Sequence, residues 1–387
     1  MSSSFSLIGI PSVGKSTVID YISKNFNLDN IYLEKEPIDE WGEYFKDFLK
    51  DKKKNELSFQ LKTLLSRMNT KRRFMDSGKK IMLAERSVFE EQNIFIEMVK
   101  DEISEIDYSI LQSFYNDFSK YTPNFISYIY LRPDNLDFIL ERVKMRNQIG
   151  DSVIDENYYI DIHRRYENEI KKIKNIIIID VNKNTTIKEL SEKIYKIINK
   201  KLMIIIGGNI GSGKTTYLEQ FKNCDDYNII CENIELWKNV EGMNLFNAFL
   251  ENRKKYSSIF QYVALLSKEI EIIKNINTNK TIMMERSPLD DTLIFAKMLY
   301  DLGEMEDYQY KTHLSIMKLF INSVLEHFNI AYIYLNVDYK TCYDRMIKRN
   351  RPGEKDSYDI NYFKKLEEYH EKMIEELNLP IAVFRYF

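Results

Sequence analysis

The segment GIPSVGKS, from Gly9 to Ser16, recurs as GNIGSGKT from Gly208 to Thr215. Both fit G-x-x-x-x-G-K-[ST], a pattern whose chemistry is polyphosphate binding. Gly9, Gly14, Gly208, Gly211 and Gly213 let backbone N–H groups wrap phosphate oxygens. Lys15 or Lys214 reaches the outer oxygens, and Ser16 or Thr215 offers a hydroxyl to Mg2+. Thr17 and Thr216 open the helical stretches leading out and count with the loops as nucleotide-binding residues. The pattern needs a strand before it and a helix after it. Apolar runs Phe5–Ile8 and Leu202–Ile206 lead in, and Thr17–Phe26 and Thr216–Phe221 read as helix leading out. The plainer reading is that both loops are inherited fold elements without a ligand.

The same ordered series follows each loop. Glu36 stands five positions before Trp41, and Glu232 five before Trp237. A carboxylate at the end of a strand can take an alcohol proton while a neighbouring aromatic shields or positions the acceptor. A lone glutamate there is more often a solvated turn residue, but recurrence in register with two phosphate loops favours the chemistry. Phe59–Gln60 and Phe260–Gln261 come next, with Arg67 and Lys268 seven residues after the glutamines. Glutamine offers a donor and an acceptor to the edge of a base, and phenylalanine can stack on its face. The alternative is an ordinary amphipathic helix with glutamine toward water.

Glu85–Arg86–Ser87 and Glu285–Arg286–Ser287 each close an apolar run. There the arginine can lie near an acceptor hydroxyl and the carboxylate, while Glu85 or Glu285 supports Mg2+ or its water; a structural Arg–Glu pair is the competing explanation. Further along lie Arg142 and Arg146, then Arg345, Arg349 and Arg351 ahead of Pro352–Gly353–Glu354. Arginines four apart share a helix face and can close over transferring phosphoryl oxygens, although basic helix faces are commonly just solvated.

These residues need a scaffold that delivers them to one end of a sheet. Expected strands in the first half are Ser6–Ile10, Ile31–Glu34, Ile81–Ala84, Ser127–Leu131 and Ile176–Asp180, with helices such as Glu56–Asp76 and Asn135–Arg146 between them. The second half repeats them as Leu202–Gly207, Tyr227–Cys231, Thr281–Met284, Ile330–Leu335 and Ala382–Phe384. Alternating strands and helices imply α/β domains, each a parallel sheet covered by helices, with ligands beyond the strand ends. The expected domains are 1–199 and 200–387, the second lacking the helical stretch Thr186–Ile198 that closes the first.

Composition is that of a globular chain: 387 residues, 44% hydrophobic, 30% charged, with 56 basic against 59 acidic residues and a net charge of −3. That balance creates no field for nucleic acid, so clusters such as Lys52–Lys54 read as solvated. Cys224, Cys231 and Cys342 form no disulfide framework and no zinc pattern, which suits a reducing compartment. With no membrane-length apolar run and no secretion signal read at the start, the expectation is a cytoplasmic protein without membrane or nucleic-acid partners.

Taken in order, the phosphate loop, Glu-Pro-x-x-x-Trp or its counterpart, Phe-Gln, Glu-Arg-Ser and the arginine segment resemble the deoxynucleoside kinase family, which includes deoxycytidine, deoxyguanosine and mitochondrial-type thymidine kinases. The resemblance covers both halves and implies two tandem P-loop nucleoside-kinase-like domains. It implies transfer of the γ-phosphate of ATP, or another nucleoside triphosphate, to a deoxynucleoside 5′-hydroxyl, with Mg2+, Glu36 and Glu232 as general bases, and Arg86 and Arg286 orienting the acceptor. By the same resemblance Gln60 and Gln261 read the base, and Asp151 or Glu354 holds the sugar 3′-hydroxyl. The pairs Arg67 with Glu91 and Lys268 with Asp291 then favour deoxypurine or deoxycytidine. Gln148 stands where the second half has Arg351 and Asp151 is shorter than Glu354, so the second copy keeps the fuller arginine segment, while its Asn233 replaces the proline that follows Glu36.

Dimers common in this family imply an intramolecular pseudo-dimer here, with further homodimerisation open. Two other classes stay open. A nucleotide-binding structural protein would keep both folds without turnover, and a nucleoside monophosphate kinase, resembling thymidylate kinase, would need a further basic site for the acceptor phosphate.

Overall fold

The computed structural model describes residues 3–118, 121, 127–146, 156–377, 379 and 381–385. The chain divides into two compact units, Met1–Asn199 and Lys200–Phe387. In the first, β1 (Ser3–Ile8), β2 (Ile31–Glu34), β3 (Ile81–Glu85), β4 (Ser127–Pro133) and β5 (Ile176–Val181) form a parallel sheet in the order β2-β3-β1-β4-β5. In the second, β6 (Lys201–Gly207), β7 (Tyr227–Ile230), β8 (Thr281–Glu285), β9 (Phe328–Asn336) and β10 (Ile381–Arg385) form a parallel sheet in the equivalent order β7-β8-β6-β9-β10. Each is a tandem copy of one α/β fold, a parallel sheet covered by helices. Parallel strands buried on both faces need near-continuous apolar runs, and Leu202–Ile206 is such a run. Among the described residues, no helix is long and apolar enough to cross a membrane.

β1 lies between β3 and β4, so the chain leaves it to one side and later returns on the other. The crevice at that reversal opens at the carboxyl ends of the strands, where both phosphate loops sit.

Element ends differ from those expected. β1 spans Ser3–Ile8 rather than Ser6–Ile10, because Gly9 turns the chain at φ 145°. A Cβ on Gly9 would lie 2.9 Å from the Leu131 carbonyl, and one on Gly208 2.9 Å from that of Leu335. The following helices begin at Lys15 and Lys214, two residues earlier than expected, capped by left-handed Gly14 and Gly213. The helix expected from Glu56 begins at Lys52, since Asp51 accepts a hydrogen bond from the Lys54 N–H; Asn252 caps the equivalent Arg253–Lys274 helix through Lys255. The other strands keep their places with ends moved by a residue or two.

A buried carboxylate locks the turn that follows β3 and β8. Glu90 accepts hydrogen bonds from the Ser87 N–H (3.0 Å) and the Tyr166 hydroxyl (2.5 Å). Asp290 accepts from the Ser287 N–H (2.8 Å) and the Tyr332 hydroxyl (2.5 Å). The two tyrosines come from non-equivalent elements: Tyr166 from the Glu156–Glu169 helix, Tyr332 from β9. The cause lies just before each phosphate loop. The first half has Ile8 there, fully buried, whereas the second has Gly207, whose Cβ would fall 1.6 Å from the Tyr332 Oη. Glycine makes the room that Tyr332 fills.

Gly207→Ala should therefore overpack this contact and destabilise the second half by about 1–3 kcal/mol. The expected result is a lower urea midpoint at unchanged slope; an unchanged midpoint would mean that the tyrosine does not occupy this space.

Candidate active sites

In each phosphate loop the lysine ammonium folds onto the loop's own carbonyls. Lys15 Nζ donates to Gly9 O at 2.7 Å and Ile10 O at 3.0 Å, and Lys214 Nζ to Gly208 O at 3.1 Å and Asn209 O at 2.8 Å. Burial, and then repulsion from Arg86 or Arg286, pulls Lys15 down to about 8 and Lys214 to about 7. Ser16 Oγ donates to Glu85 at 2.7 Å, and Thr215 Oγ1 to Glu285 at 3.0 Å. A hydroxyl beside a carboxylate is a hard oxygen set that fits Mg2+ taking its other ligands from phosphate and water. Among the described residues no three metal-ligating side chains cluster to hold an ion alone. Thr17 and Thr216 are exposed on the first helical turn, and Thr216 does not line the cavity described below.

Beside each loop an arginine meets the proposed base. In the second half both Glu232 oxygens accept from Arg286 Nη1, at 2.8 and 3.0 Å, and Lys268 Nζ lies 3.5 Å away. Burial opposes the Glu232 charge, but Arg286, then Lys268 and Lys214, outweigh it and hold the carboxyl down at about 2. Lys268 also donates to Asp291 at 2.5 Å. Burial nevertheless pushes Asp291 up to about 6, against the pull of Lys268.

The first half solves the same problem with a longer cation. Glu36 lies 3.1 Å from Arg86 Nη1 and 3.4 Å from Arg67 Nη2. The Arg67 fork also donates through Nε to Glu91 at 2.9 Å and through Nη1 to the Glu85 carbonyl at 2.9 Å. One planar guanidinium thus reaches three partners where the Lys268 ammonium reaches two.

Arg86 and Arg286 themselves sit at φ 64° and 55°. Non-glycine residues pay for such a conformation, and it recurs here at the same turn. A π-helical stretch follows each, Glu91–Phe95 and Asp291–Ala296, placing Glu91 and Asp291 at its first residue.

Trp41 and Trp237 are buried and donate to Ser66 (3.2 Å) and Ser267 (3.3 Å). The expected stacking phenylalanines are already engaged on one face, Phe59 by Phe48 at 4.6 Å and Phe260 by Phe249 at 4.5 Å. They belong to an aromatic cluster with the tryptophans more than to a free platform for a base.

A cavity of about 190 Å³ in the second half brings most of its expected residues together. Gly211, Lys214, Thr215, Glu232, Trp237, Gln261, Glu285, Arg286, Asp291, Arg349, Arg351 and Glu354 all line it. Arg349 grips the buried Glu354 through both oxygens, at 3.0 and 2.7 Å, and Arg351 lies 3.8 Å away. Arg345 lies against the loop, its Cβ 3.5 Å from where a Gly211 Cβ would be. In the first half Arg142 donates to the Val13 carbonyl at 3.3 Å. The side chain of Arg146 is outside the described side chains, and Gln148 and Asp151 lie outside the described residues.

Several contributors escaped the sequence reading. Glu90 and Asp290 could have been found, since each stands four residues after its arginine in both copies. Tyr358 and Tyr362 line the cavity, and Arg253 lies over both rings, at 5.0 and 4.6 Å, while donating to the Ser357 carbonyl. No spacing rule points to Arg253, because the segment it clasps is distant in sequence.

The profile of the deoxynucleoside kinase family matches residues 5–203 and again residues 204–386. A probable deoxycytidine kinase of Fowlpox virus (strain NVSL) is 31% identical over 179 residues, 45% of this chain and 72% of that protein. Mitochondrial thymidine kinase 2 of Homo sapiens is 29% identical over 188 residues, covering 47% and 68%. The mitochondrial deoxyguanosine kinase of Xenopus laevis is 24% identical over 226 residues, covering 52% and 85%.

The lysines generate a pH prediction. Lys214, at about 7 in the folded chain against 10.5 otherwise, costs stability at neutral pH, and that cost shrinks as pH rises from 7 toward 10.5. A polyphosphate beside it restores the ammonium, so nucleoside triphosphate binding at pH 8 should take up protons. Calorimetry in buffers of different ionisation enthalpy measures this uptake, and Lys214→Met should remove the second half's share. Heats independent of buffer would contradict the assignment.

Proposed function

The chain belongs to the deoxynucleoside kinase family and carries the family's domain twice; from that premise we propose that Glu36 and Glu232 act as general bases in moving the γ-phosphoryl group of ATP, or another nucleoside triphosphate, to a deoxynucleoside 5′-hydroxyl. The observation that carries this reading is the buried Glu232–Arg286 pair sharing one cavity with the phosphate-loop lysine.

In the resting pair Arg286 holds Glu232 as a weakly basic anion. When the guanidinium turns toward the charge developing on the transferring phosphoryl oxygens, the carboxylate loses that stabilisation and becomes a better base. The 5′-oxygen then bonds to the γ-phosphorus, the bond to the β–γ bridging oxygen breaks, and the hydroxyl proton passes to Glu232. Glu36 and Arg86 have the same relation in the first half. Lys15 or Lys214 neutralises the phosphates, and Arg142 and Arg146, or Arg345, Arg349 and Arg351, close over them. Mg2+ held near Ser16 and Glu85, or Thr215 and Glu285, would supply further charge neutralisation.

In this reading Gln60 or Gln261 meets the base edge, with Arg67–Glu91 or Lys268–Asp291 behind it, which favours a deoxypurine or deoxycytidine. Trp41 or Trp237 walls the site, and Asp151 or Glu354 takes the sugar 3′-hydroxyl. A monophosphate acceptor fits less well, because its dianion would face the carboxylates Glu232 and Asp291. The fusion itself places two partners on one chain at high effective concentration, so a single 46.3 kDa chain is the expected solution mass by light scattering; twice that mass would show that the fused chains associate further.

Glu36→Gln and Glu232→Gln should each lower their own half's turnover by about 10²–10⁴-fold, and the double variant should lose both. The assay measures phosphorylation of dA, dG, dC and dT beside their monophosphates, on variants shown to be folded. Undiminished activity in the double variant would reject the base assignment, and turnover of monophosphates alone would identify the rival kinase class.

A further inference from the structure

The two base-reading glutamines sit in different hydrogen-bonding surroundings. Glu56 stands four residues before Gln60, one helical turn back on the same face. It is buried, and its Oε1 accepts from Gln60 Nε2 at 2.7 Å. On the other side Thr63 Oγ1 approaches Gln60 Oε1 at 3.5 Å. An ionised carboxylate only accepts, so it dictates which end of the amide faces it: the nitrogen must point to Glu56 and the oxygen away.

The second half has neither neighbour. Ser257 stands four before Gln261 and Ala264 three after it. The Ser257 hydroxyl is buried without a partner, and so is Gln261 Oε1, among the described residues. Asp291 Oδ2 is likewise buried without a partner there. The Gln261 side chain lines the cavity, and among the described residues no side chain hydrogen-bonds its Oε1.

Burial, above all, pushes the Tyr158 phenol up to about 12 against the pull of Arg86, with Tyr159, Glu36 and Glu56 adding smaller rises. Tyr158 is the first-half counterpart of Tyr362, each following an asparagine in the helix after the arginine segment.

Resting on the kinase reading above, we infer that Glu56 is a specificity-determining residue that makes the first half narrower in base choice than the second. With its amide locked, Gln60 presents Oε1 to the base and has spent one of its two N–H donors. The base edge opposite must then place its donor against Oε1 and its acceptor beside the remaining N–H, an order that dA and dC (exocyclic amino donor, ring acceptor) and dG and dT (exocyclic acceptor, ring donor) present in reverse. Gln261 can flip and pair with either a donor or an acceptor, so the second half accepts more kinds of edge. A site built around a fixed hydrogen-bonding group rejects the mismatched base because its buried polar atoms are left unpaired.

The test exchanges the two residues in full-length chains with one half silenced. Glu56→Ser is made in the Glu232→Gln background, and Ser257→Glu in the Glu36→Gln background; kcat/KM is measured for dA, dG, dC and dT. The expected result is that Glu56→Ser compresses the spread between best and worst base at least tenfold, while Ser257→Glu widens it at least tenfold. Glu56→Gln, which keeps the size and removes the charge, should compress the spread in part. A purely structural role would scale all four bases together, and that outcome overturns the inference. Where the first half alone shows no turnover, the Ser257→Glu arm decides, and an unchanged spread there overturns it. Failure of the general-base reading is distinguishable, since it leaves turnover undiminished by Glu36→Gln and Glu232→Gln together.

Discussion

Charges of both signs buried behind one set of strand ends are tolerable only when each finds a partner, because an unpaired buried ion costs far more than its pair contributes. Each half accepts that constraint at the ends of three strands. Glu36 meets Arg86 and Arg67, Glu91 meets Arg67, Glu232 meets Arg286, and Asp291 meets Lys268. The phosphate-loop lysines stand apart from the other buried cations of the site: among the described residues their ammonium groups hydrogen-bond only to loop carbonyls, and burial pulls them down toward neutrality. A polyphosphate is the partner that would complete the pairing. The electrostatics of the protein alone therefore point to an anionic ligand at the position where the loop geometry also points to one.

The duplicated halves meet this constraint by different means. Where the first has an arginine fork and a glutamate, Arg67 and Glu91, the second has a lysine and an aspartate, and both substitutions shorten the pair. Where Ile8 fills the space before the loop, Tyr166 reaches the buried carboxylate from a helix; where Gly207 vacates it, Tyr332 does so from a strand. At the strand position both halves carry tyrosine, Tyr128 and Tyr332, so what differs is the residue before the loop and the helix tyrosine: Gly207 opens the space that Tyr332 fills, where Ile8 occupies it in the first half. The second half's cavity also contains unpartnered acceptors, among the described residues, while the equivalent glutamine of the first half is engaged by Glu56.

The residues proposed for direct chemistry were legible in the sequence because phosphoryl transfer calls for particular side chains at fixed distances from a strand end. Lys214, Glu232, Arg286, Gln261 and Glu354 were all nameable, and the structure brings them to one cavity. The start of β1 was less legible: Ser3 and Ser4 precede its apolar core, and both are buried despite their polarity. Glu90 and Asp290 were overlooked because an acid in a helical stretch usually faces water, while here both are fully buried. Their tyrosine partners could not have been assigned by aligning the halves, since the donors come from non-equivalent elements. What alignment does expose is difference, and Glu56 against Ser257 is a difference at a position where the chemistry itself is shared.

The left-handed arginines show how closely chemistry and backbone are bound together. The N–H of Arg86 donates to the Leu7 carbonyl, and that of Arg286 to the Ile206 carbonyl, each at 3.0 Å, so the sheet ladder extends one residue past the strand. The chain must then turn sharply, because Ser87 and Ser287 cap the next helical turn and the buried acid fastens their N–H groups. A positive φ at the arginine makes that reversal possible while sending the guanidinium to Glu36 or Glu232. Glycine would adopt this conformation without the cost of about 1–3 kcal/mol, but it would bring no guanidinium. The strain is thus a consequence of requiring a long cation at the one place where the backbone favours no side chain. The carboxylate lock on the following serine is the local structure that keeps the strained turn in place.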